Sequence, residues 1–160
     1  MYERILVPLD GSKVAESVLP HIEGLVSKLA PDSKVQVTLF QALSPTHYVV
    51  AWDAGASVAY TEAEMAQIKK KALEYLDNVG EGLRSRGAIV ECKVGVGNAA
   101  EEIIKVADEI NADLVAMATH GRSGLSRWAF GSITDRVLRC GNRPILMIRV
   151  PKDMMTKTST

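Results

Sequence analysis

The order of apolar and polar positions predicts a chain in which short buried strands alternate with amphipathic helices. The continuous apolar run at 5–9 is typical of a strand buried on both faces of a parallel sheet. After an N-cap at Ser12, apolar residues recur every three or four positions and predict a helix; they are Val14, Val18, Ile22, Leu25 and Leu29. Pro20 lies within this helix, and we expect it to produce a kink and not a break.

The alternation continues to the end of the chain. Further strands are predicted at 35–43, 88–94, 114–118 and 145–150. Further helices are predicted from about Met65 to a terminating Gly87, at 99–110 and at 132–140. The segment 95–98 is predicted as a turn, and the polar segment 151–160 as a flexible C-terminal tail. The stretch from Ser44 to about Ser57 is interpreted as a long loop that is functional or mobile.

Four strand–helix units closed by a fifth strand predict an α/β fold, with a parallel sheet and helices on both of its faces. Right-handed crossovers leave two strand orders, 2-1-3-4-5 and 3-2-1-4-5. In either sheet, ligands bind beyond the carboxyl ends of the strands, where the strand order reverses. For the order 3-2-1-4-5 this point lies between the first and fourth strands, whose loops begin at 8–10 and 118–121.

The composition excludes several classes of partner. Of the 160 residues, 47% are hydrophobic and 24% are charged, as in a globular protein that buries its own core. The 19 basic and 19 acidic residues balance, so there is no electrostatic case for nucleic acid or for an anionic membrane. The basic run at 69–71 lies in a helical pattern and is interpreted as a solvated helix face.

The two cysteines, Cys92 and Cys140, have no second ligand at metal-binding spacing. We interpret them as core residues or free thiols in a reducing compartment. The chain shows no signal peptide and no apolar run of membrane-spanning length. We therefore expect a cytoplasmic protein.

The segment from Met117 to Thr134 is the best candidate for a ligand-binding loop. Its glycines allow backbone amides to approach a ligand, and Gly131 and Ser132 open a helix whose N-terminus suits phosphate. Hydroxyl and guanidinium groups add further donors; they belong to Ser132, Thr134, Arg122 and Arg127. On spacing alone, a phosphate loop and a tight turn with Ser132 as N-cap both remain open. The P-loop motif is absent, and the G-x-G at 95–97 lacks the third glycine of a dinucleotide site.

Two other polar residues flank the same point of the predicted sheet. Asp10 follows the first strand, where its carboxylate can reach a ribose hydroxyl or a phosphate-bound metal, or simply cap the first helix. His120 follows the fourth strand and has the chemistry of a base, but the sequence offers no nucleophile partner. We expect it to orient the loop or to contact a ligand. No residue is predicted to be catalytic, and no metal-ligand set is predicted.

Several segments, in order from Tyr2 to Val150, resemble the universal stress protein family. The matching segments are 5–12, 97–103, 112–117, 119–124 and 131–132 followed by 143–146. The resemblance implies a single domain over 1–150 with the tail 151–160, and a three-layer α/β/α fold similar to the adenine nucleotide α-hydrolases, with sheet order 3-2-1-4-5. It also implies a cytoplasmic homodimer that pairs its last strands, here Ile145 to Arg149.

One branch of that family binds ATP through the motif G-x-x-G-x9-G-[ST]. This chain has Gly121, nine intervening residues and then Gly131 with Ser132, whereas Ala118 replaces the first glycine. The resemblance implies that Asp10 meets the ribose and that Ala42 and Met117 flank the adenine. The full set of implied nucleotide-binding residues is Pro8, Leu9, Asp10, Ala42, Met117, Ala118, His120, Gly121, Arg122, Gly131, Ser132, Ile133 and Thr134. Of these, 132–134 are implied to hold the phosphates.

The resemblance thus implies a stress-response protein that binds ATP or AMP, with or without Mg²⁺, as a sensor or adaptor for an unidentified protein partner. We expect little or no hydrolysis, because the sequence offers no base aimed at water and no lysine over the phosphates. Two alternatives remain open. One is a protein-interaction dimer of the same fold that binds no nucleotide because of Ala118. The other is a hydrolase or phosphotransferase that uses His120 and Asp10.

Overall fold

The computed structural model describes residues 2–29, 34–51, 54–119 and 131–150. Strands and helices alternate along these ranges. The elements are β1 (Arg4–Pro8), α1 (Lys13–Glu16), α2 (Leu19–Leu29), β2 (Gln36–Leu43), β3 (Thr46–Ala51), β4 (Ala54–Ala59), α3 (Glu62–Ser85), β5 (Ile89–Val96), α4 (Ala99–Glu109), β6 (Leu114–Thr119), α5 (Ser132–Cys140) and β7 (Ile145–Arg149).

Five of the strands form one sheet in the order β5-β2-β1-β6-β7. Every neighbouring pair in this sheet is parallel. Numbered along the chain, these five strands have the order 3-2-1-4-5, which confirms one of the two predicted topologies and excludes 2-1-3-4-5. β1 and β6 lie side by side at the centre although more than 100 positions separate them, so the strand order reverses between them.

The core has two layers because successive side chains of each strand point to opposite faces of the sheet. One buried cluster joins β1 and β6 to α2 and α3; it includes Ile5, Val7, Ala116, Ile22 and Leu76. The other joins the same strands to α4 and α5; it includes Leu6, Val115, Met117, Ile103 and Val137. Burial of each large aliphatic side chain favours folding by about 1.5–3 kcal/mol. The helices on both faces therefore fix the sheet, as the alternating pattern predicts.

The first predicted helix is two helices in the structure. α1 ends at Glu16, and α2 begins at Leu19 after tight turns in which the Ser17 and Val18 amides bond three residues back. Pro20 lies in the first turn of α2, where its missing N–H is not needed. That missing N–H also prevents the bond to the Glu16 carbonyl that a continuous helix would require. The prediction of a kink without a break is therefore wrong.

The segment predicted as a long loop from Ser44 to Ser57 contains a β-hairpin. β3 and β4 pair antiparallel from Thr46 opposite Ala59 to Ala51 opposite Ala54, and they form a sheet of their own. The Tyr60 amide donates to the Pro45 carbonyl at 3.1 Å and closes the base of the hairpin. The small residues of β4, Ala-Gly-Ala-Ser, lack the β-branched pattern that predicts strands, which is why this element escaped prediction.

Two other boundaries also differ from the prediction. β5 continues to Val96, so the first half of the predicted turn at 95–98 belongs to the strand. α3 begins at Glu62, because Thr61 and Glu64 form a capping box that starts the helix before its first apolar residue. Within the described ranges, no helix has the length and apolar character needed to cross a membrane.

Candidate functional site

The pairing between β1 and β6 stops before the carboxyl end of the sheet. These two strands pair only at Ile5 with Leu114 and at Leu6 with Val115. β1 nevertheless continues beside β2 to Pro8, and β6 continues beside β7 to Thr119. The pairing of the two central strands therefore ends where the strand order reverses, which is the usual place for a ligand in an open α/β sheet. We call the region between these strand ends the β1–β6 crevice.

The turn from β1 into α1 lies at the mouth of this crevice. The Asp10 carboxylate is exposed, and its Oδ1 accepts the Ser12 amide at 2.9 Å. Gly11 has a φ of +83°, in the left-handed region that favours glycine. The Ser12 hydroxyl oxygen accepts the Ala15 amide at 3.1 Å and is the N-cap of α1. Ser12 therefore caps the helix, and Asp10 shapes the turn and presents an exposed carboxylate.

The other predicted residues of β1 and β2 form the wall beside this turn. Pro8 is half-buried at the end of β1. Leu9 is buried, and its amide donates to the Phe40 carbonyl at 2.8 Å, so the backbone of Leu9 is already used by the sheet. Ala42 lies near the end of β2 and packs against the cluster beneath α4 and α5.

Met117 and Ala118 project to opposite faces of β6. Met117 is buried in the cluster beneath α4 and α5, and Ala42 packs against that same cluster. Ala118 instead packs against the cluster beneath α2 and α3. The methyl group that distinguishes Ala118 from the glycine of the ATP-binding motif thus contributes to the core on the face away from Met117.

The N-terminus of α5 has no side-chain cap among the described residues. Its N-cap is Gly131, with no side-chain hydrogen bond. By contrast, side chains cap α1, α3 and α4; they belong to Ser12, Thr61 and Asn98. Ser132 and Ile133 are exposed, whereas Thr134 is buried. The amides of the first turn of α5 have no partner within the helix, and a helix N-terminus attracts anions.

Packing explains the glycine at position 95 but not the glycine at position 131. A Cβ on Gly95 would lie 2.6 Å from Glu102 Oε2 and 2.9 Å from the Phe40 ring, so packing explains this glycine. A Cβ on Gly131 would meet no described atom within 4 Å, and its φ of −57° suits any residue. Neither packing among the described residues nor backbone conformation therefore requires glycine at 131.

Three predicted residues, His120, Gly121 and Arg122, lie outside the described residues, as does the rest of the loop at 120–130. The structure brings Pro8, Leu9 and Asp10 to one side of the β1–β6 crevice and Met117 and Ala118 to the other. The sequence did not indicate the hydrogen bond of 3.2 Å between Glu16 and Tyr75, which are 59 positions apart. A pairing at that separation leaves no local signal in the sequence.

The described residues contain no group of three His, Cys, Asp or Glu side chains placed to hold a metal ion. Both cysteines are free. Burial raises the pKa of the Cys92 thiol, although nearby Arg84 opposes the effect. Cys92 is therefore a poor nucleophile at neutral pH.

Comparisons with known proteins agree with this architecture. A sequence model of the universal stress protein family matches residues 1–149. Universal stress protein MJ0577 of Methanocaldococcus jannaschii is 26% identical over 155 residues, which cover 93% of this chain and 96% of that protein. The solved structure of MJ0577 has a TM-score of 0.71 at 24% identity and covers 95% of this chain and 99% of its own.

Two further solved structures share the fold and contain adenine nucleotides. The universal stress protein from Archaeoglobus fulgidus in complex with dAMP has a TM-score of 0.61 at 22% identity, with 92% of this chain and 98% of that chain covered. A universal stress protein in complex with cAMP has a TM-score of 0.64 at 18% identity, with 92% and 97% covered. The match over almost the whole sequence shows that the chain belongs to the universal stress protein family.

Proposed function

We propose that this protein binds an adenine nucleotide, ATP or AMP, in the β1–β6 crevice and acts as a stress-response sensor or adaptor. The observation that carries this proposal is the N-terminus of α5, where no side chain among the described residues caps the helix and none of their atoms would meet a Cβ on Gly131. A phosphate group would satisfy the free amides of this helix start. The complexes of two family members with dAMP and cAMP support an adenine nucleotide as the ligand.

In this proposal, the nucleotide spans the crevice from the end of β2 to the start of α5. Ala42 and Met117 lie on one face of the sheet and offer apolar contact to the adenine. The exposed Asp10 carboxylate can accept hydrogen bonds from the ribose hydroxyls. The amides of Ser132 and Ile133 face the phosphates, with His120, Gly121 and Arg122 completing the set. Thr134 is buried, so it contributes through its backbone.

The phosphates of ATP normally carry Mg²⁺, and the metal would be held here mainly by the phosphates themselves. Among the described side chains, Asp10 is the carboxylate exposed at the mouth of the crevice. We propose little or no hydrolysis, because Oδ1 of Asp10 already accepts the Ser12 amide and is not free to activate a water molecule. A binding protein that keeps its nucleotide intact fits a sensor or adaptor.

We also propose a homodimer that pairs the β7 strands. β7 is one edge strand of the sheet. Its apolar side chains are all partly exposed; they are Ile145, Leu146, Met147 and Ile148. The opposite edge, β5, carries Glu91 and Lys93, which form an ion pair at 3.4 Å. Charged residues on an edge strand oppose pairing, whereas an apolar edge favours it. An edge that pairs with its own copy gives a closed two-fold dimer.

The remaining parts of the proposal concern the extent and the location of the domain. We propose that it spans 1–150, with 151–160 as a tail. We propose a cytoplasmic location, because ATP is available there and because the free thiols of Cys92 and Cys140 suit a reducing compartment.

Isothermal titration calorimetry with a glycine pair tests the nucleotide proposal. Gly131→Val places a branched side chain at the start of α5, and we expect it to weaken ATP binding by more than about tenfold, or 1.4 kcal/mol. Gly24→Val on α2 is the matched control, because a Cβ there also meets nothing within 4 Å. Both variants should unfold near the wild-type temperature. Equal ATP affinity in all three proteins would exclude this helix start as the phosphate site.

If the wild-type protein binds no ATP or AMP, the alternative of a protein-interaction dimer without nucleotide is favoured. Ala118 is the departure from the ATP-binding motif that suggests this alternative. Its methyl group packs into the core on the face away from Met117. We therefore expect Ala118→Gly to change ATP affinity much less than Gly131→Val does.

A further inference from the structure

α1 is a single helical turn whose apolar contact with the core is made by Ala15, which is only partly buried against the cluster beneath α2 and α3. It spans four residues, Lys13–Glu16, and contains no buried residue. A helix of this length has no stability of its own in water. Nevertheless, α1 packs beside β6 and follows directly from the turn that carries Asp10, so its position determines one side of the β1–β6 crevice. Polar contacts are therefore needed beside the packing of Ala15 to fix its position.

The hydroxyl group of Tyr75, on α3, supplies such a contact. It donates to Glu16 Oε1 at 3.2 Å, and Lys13 Nζ contacts Glu16 Oε2 at 2.6 Å. The Glu16 side chain is only 16% exposed, whereas that of Lys13 is 82% exposed. Within the part of the chain that the structure describes, the Tyr75–Glu16 bond is the one hydrogen bond between side chains that ties α1 to another element.

Tyr75 also lies close to the turn itself. Its ring packs against the apolar cluster that contains Leu9. Burial, followed by the negative charges of Glu16 and Asp10, raises the pKa of the phenol above its usual value, and the Gly11 amide opposes this effect. The hydroxyl group therefore keeps its proton at physiological pH and stays a donor to Glu16.

We propose that Tyr75 is a positioning residue of the nucleotide site, which holds Glu16 and α1 so that the Asp10 carboxylate is presented to the ribose hydroxyls. This inference rests on the proposed nucleotide function and deepens it. In this inference, the preference of the site for a ribose with free hydroxyls depends on Tyr75, which lies on α3 and does not touch the ligand. Tyr75 acts through Glu16 and the turn at 10–12 and is not itself a ligand contact.

The experiment compares ATP with 2′,3′-dideoxy-ATP, which lacks the ribose hydroxyls, by calorimetry. We expect the wild-type protein to bind ATP about tenfold more tightly, the difference that a hydrogen bond to a charged group makes. Tyr75→Phe keeps the ring and removes the hydroxyl group, and should reduce this preference to about threefold or less without changing affinity for dideoxy-ATP. Tyr60→Phe is the control and should retain the full preference.

A double-mutant cycle separates positioning from a general structural role. In an Asp10→Ala background, where the ribose partner is absent, Tyr75→Phe should cause no further loss of ATP affinity. If Tyr75→Phe does not fold, Glu16→Ala and Glu16→Gln replace it. The alanine variant should lose the preference, and the glutamine variant, which keeps an acceptor for the tyrosine, should retain it.

The outcomes that overturn this inference differ from those that overturn the nucleotide proposal. Equal losses of affinity for both nucleotides in Tyr75→Phe would show a purely structural role for Tyr75. An unchanged preference in that variant, or no preference in the wild-type protein, would contradict positioning while leaving ATP binding intact. Absence of binding of either nucleotide to the wild-type protein would overturn both.

Discussion

Burial and charge act together on the hydroxyl group of Tyr75. Its hydroxyl group meets the largely buried Glu16 carboxylate, and the charges of Glu16 and Asp10 disfavour the phenolate. The folded protein therefore binds this proton more tightly than the unfolded chain does. The hydrogen bond from Tyr75 to Glu16 therefore both holds α1 against α3 and contributes to the stability of the fold.

The raised pKa of Tyr75 predicts a specific loss of stability at alkaline pH. In the unfolded chain, tyrosine ionises near pH 10, so the contribution is complete below that pH and is lost as the pH rises further. We expect the free energy of unfolding in urea to fall more steeply above about pH 10 for the wild-type protein than for Tyr75→Phe. Parallel curves for wild type and Tyr75→Phe would contradict the assignment.

The sequence indicates candidate residues well where their chemistry is local. Asp10 lies at the carboxyl end of β1, as predicted, because a short apolar strand leaves little freedom in where it ends. The spacing of the glycines does not tell a packing glycine, Gly95, from a candidate ligand-binding glycine, Gly131. The difference lies in the folded structure, where Phe40 and Glu102 occupy the space that a Cβ on Gly95 would need. The Glu16–Tyr75 pair was not predicted for the same reason, as its partners come from distant parts of the chain.

At the scale of elements, helix starts depend on capping groups more than on apolar period. α3 begins at Glu62 because the Thr61 hydroxyl oxygen accepts the Glu64 amide at 3.3 Å, while Glu64 Oε2 accepts the Thr61 amide at 2.8 Å. These reciprocal bonds satisfy two donors at the helix start. They also fix the point at which the β3–β4 hairpin returns to the core.

Loss of this capping box should destabilise the protein by about 1 kcal/mol. Thr61→Ala removes the acceptor for the Glu64 amide, and we expect its urea midpoint to fall accordingly. Thr61→Ser keeps the hydroxyl group and should restore most of the loss. If the alanine and serine variants have the same stability, the hydroxyl group of Thr61 does not support α3.

The elements whose pattern is continuous were predicted well, and those that are interrupted were not. β1, β6 and α4 follow the expected period because each is buried along one or both faces. The apolar spacing runs from Val14 through Val18 to Ile22 without change, so the break between α1 and α2 is invisible in it. It arises from tight turns and from Pro20, which are local backbone effects.

At the scale of the whole molecule, the two edges of the sheet differ in the way that the proposed dimer requires. β7 presents a row of partly exposed apolar side chains, and β5 presents an ion pair. The same sheet therefore has one edge that favours a partner and one that opposes it. The crevice at the centre lies between these edges.

Met147→Lys should convert the proposed dimer to a monomer. A lysine on β7 places a desolvated charge in the proposed strand pair, and we expect it to weaken dimerisation by more than about tenfold. Ile89→Lys on β5, where the native side chain is 51% exposed, is the matched control and should remain dimeric. Sedimentation velocity measures both. A monomeric Ile89→Lys beside a dimeric Met147→Lys would place the interface on the opposite edge.

Native mass spectrometry of the purified protein with and without added ATP tests the central claim most directly. It reports the mass of the assembly and of any retained small molecule in one spectrum. We predict a dimer that carries one adenine nucleotide per chain at high-micromolar ATP, and a dimer without nucleotide for Gly131→Val. A wild-type spectrum with no adenine nucleotide at saturating ATP, under conditions that preserve the dimer, would contradict nucleotide binding in the β1–β6 crevice.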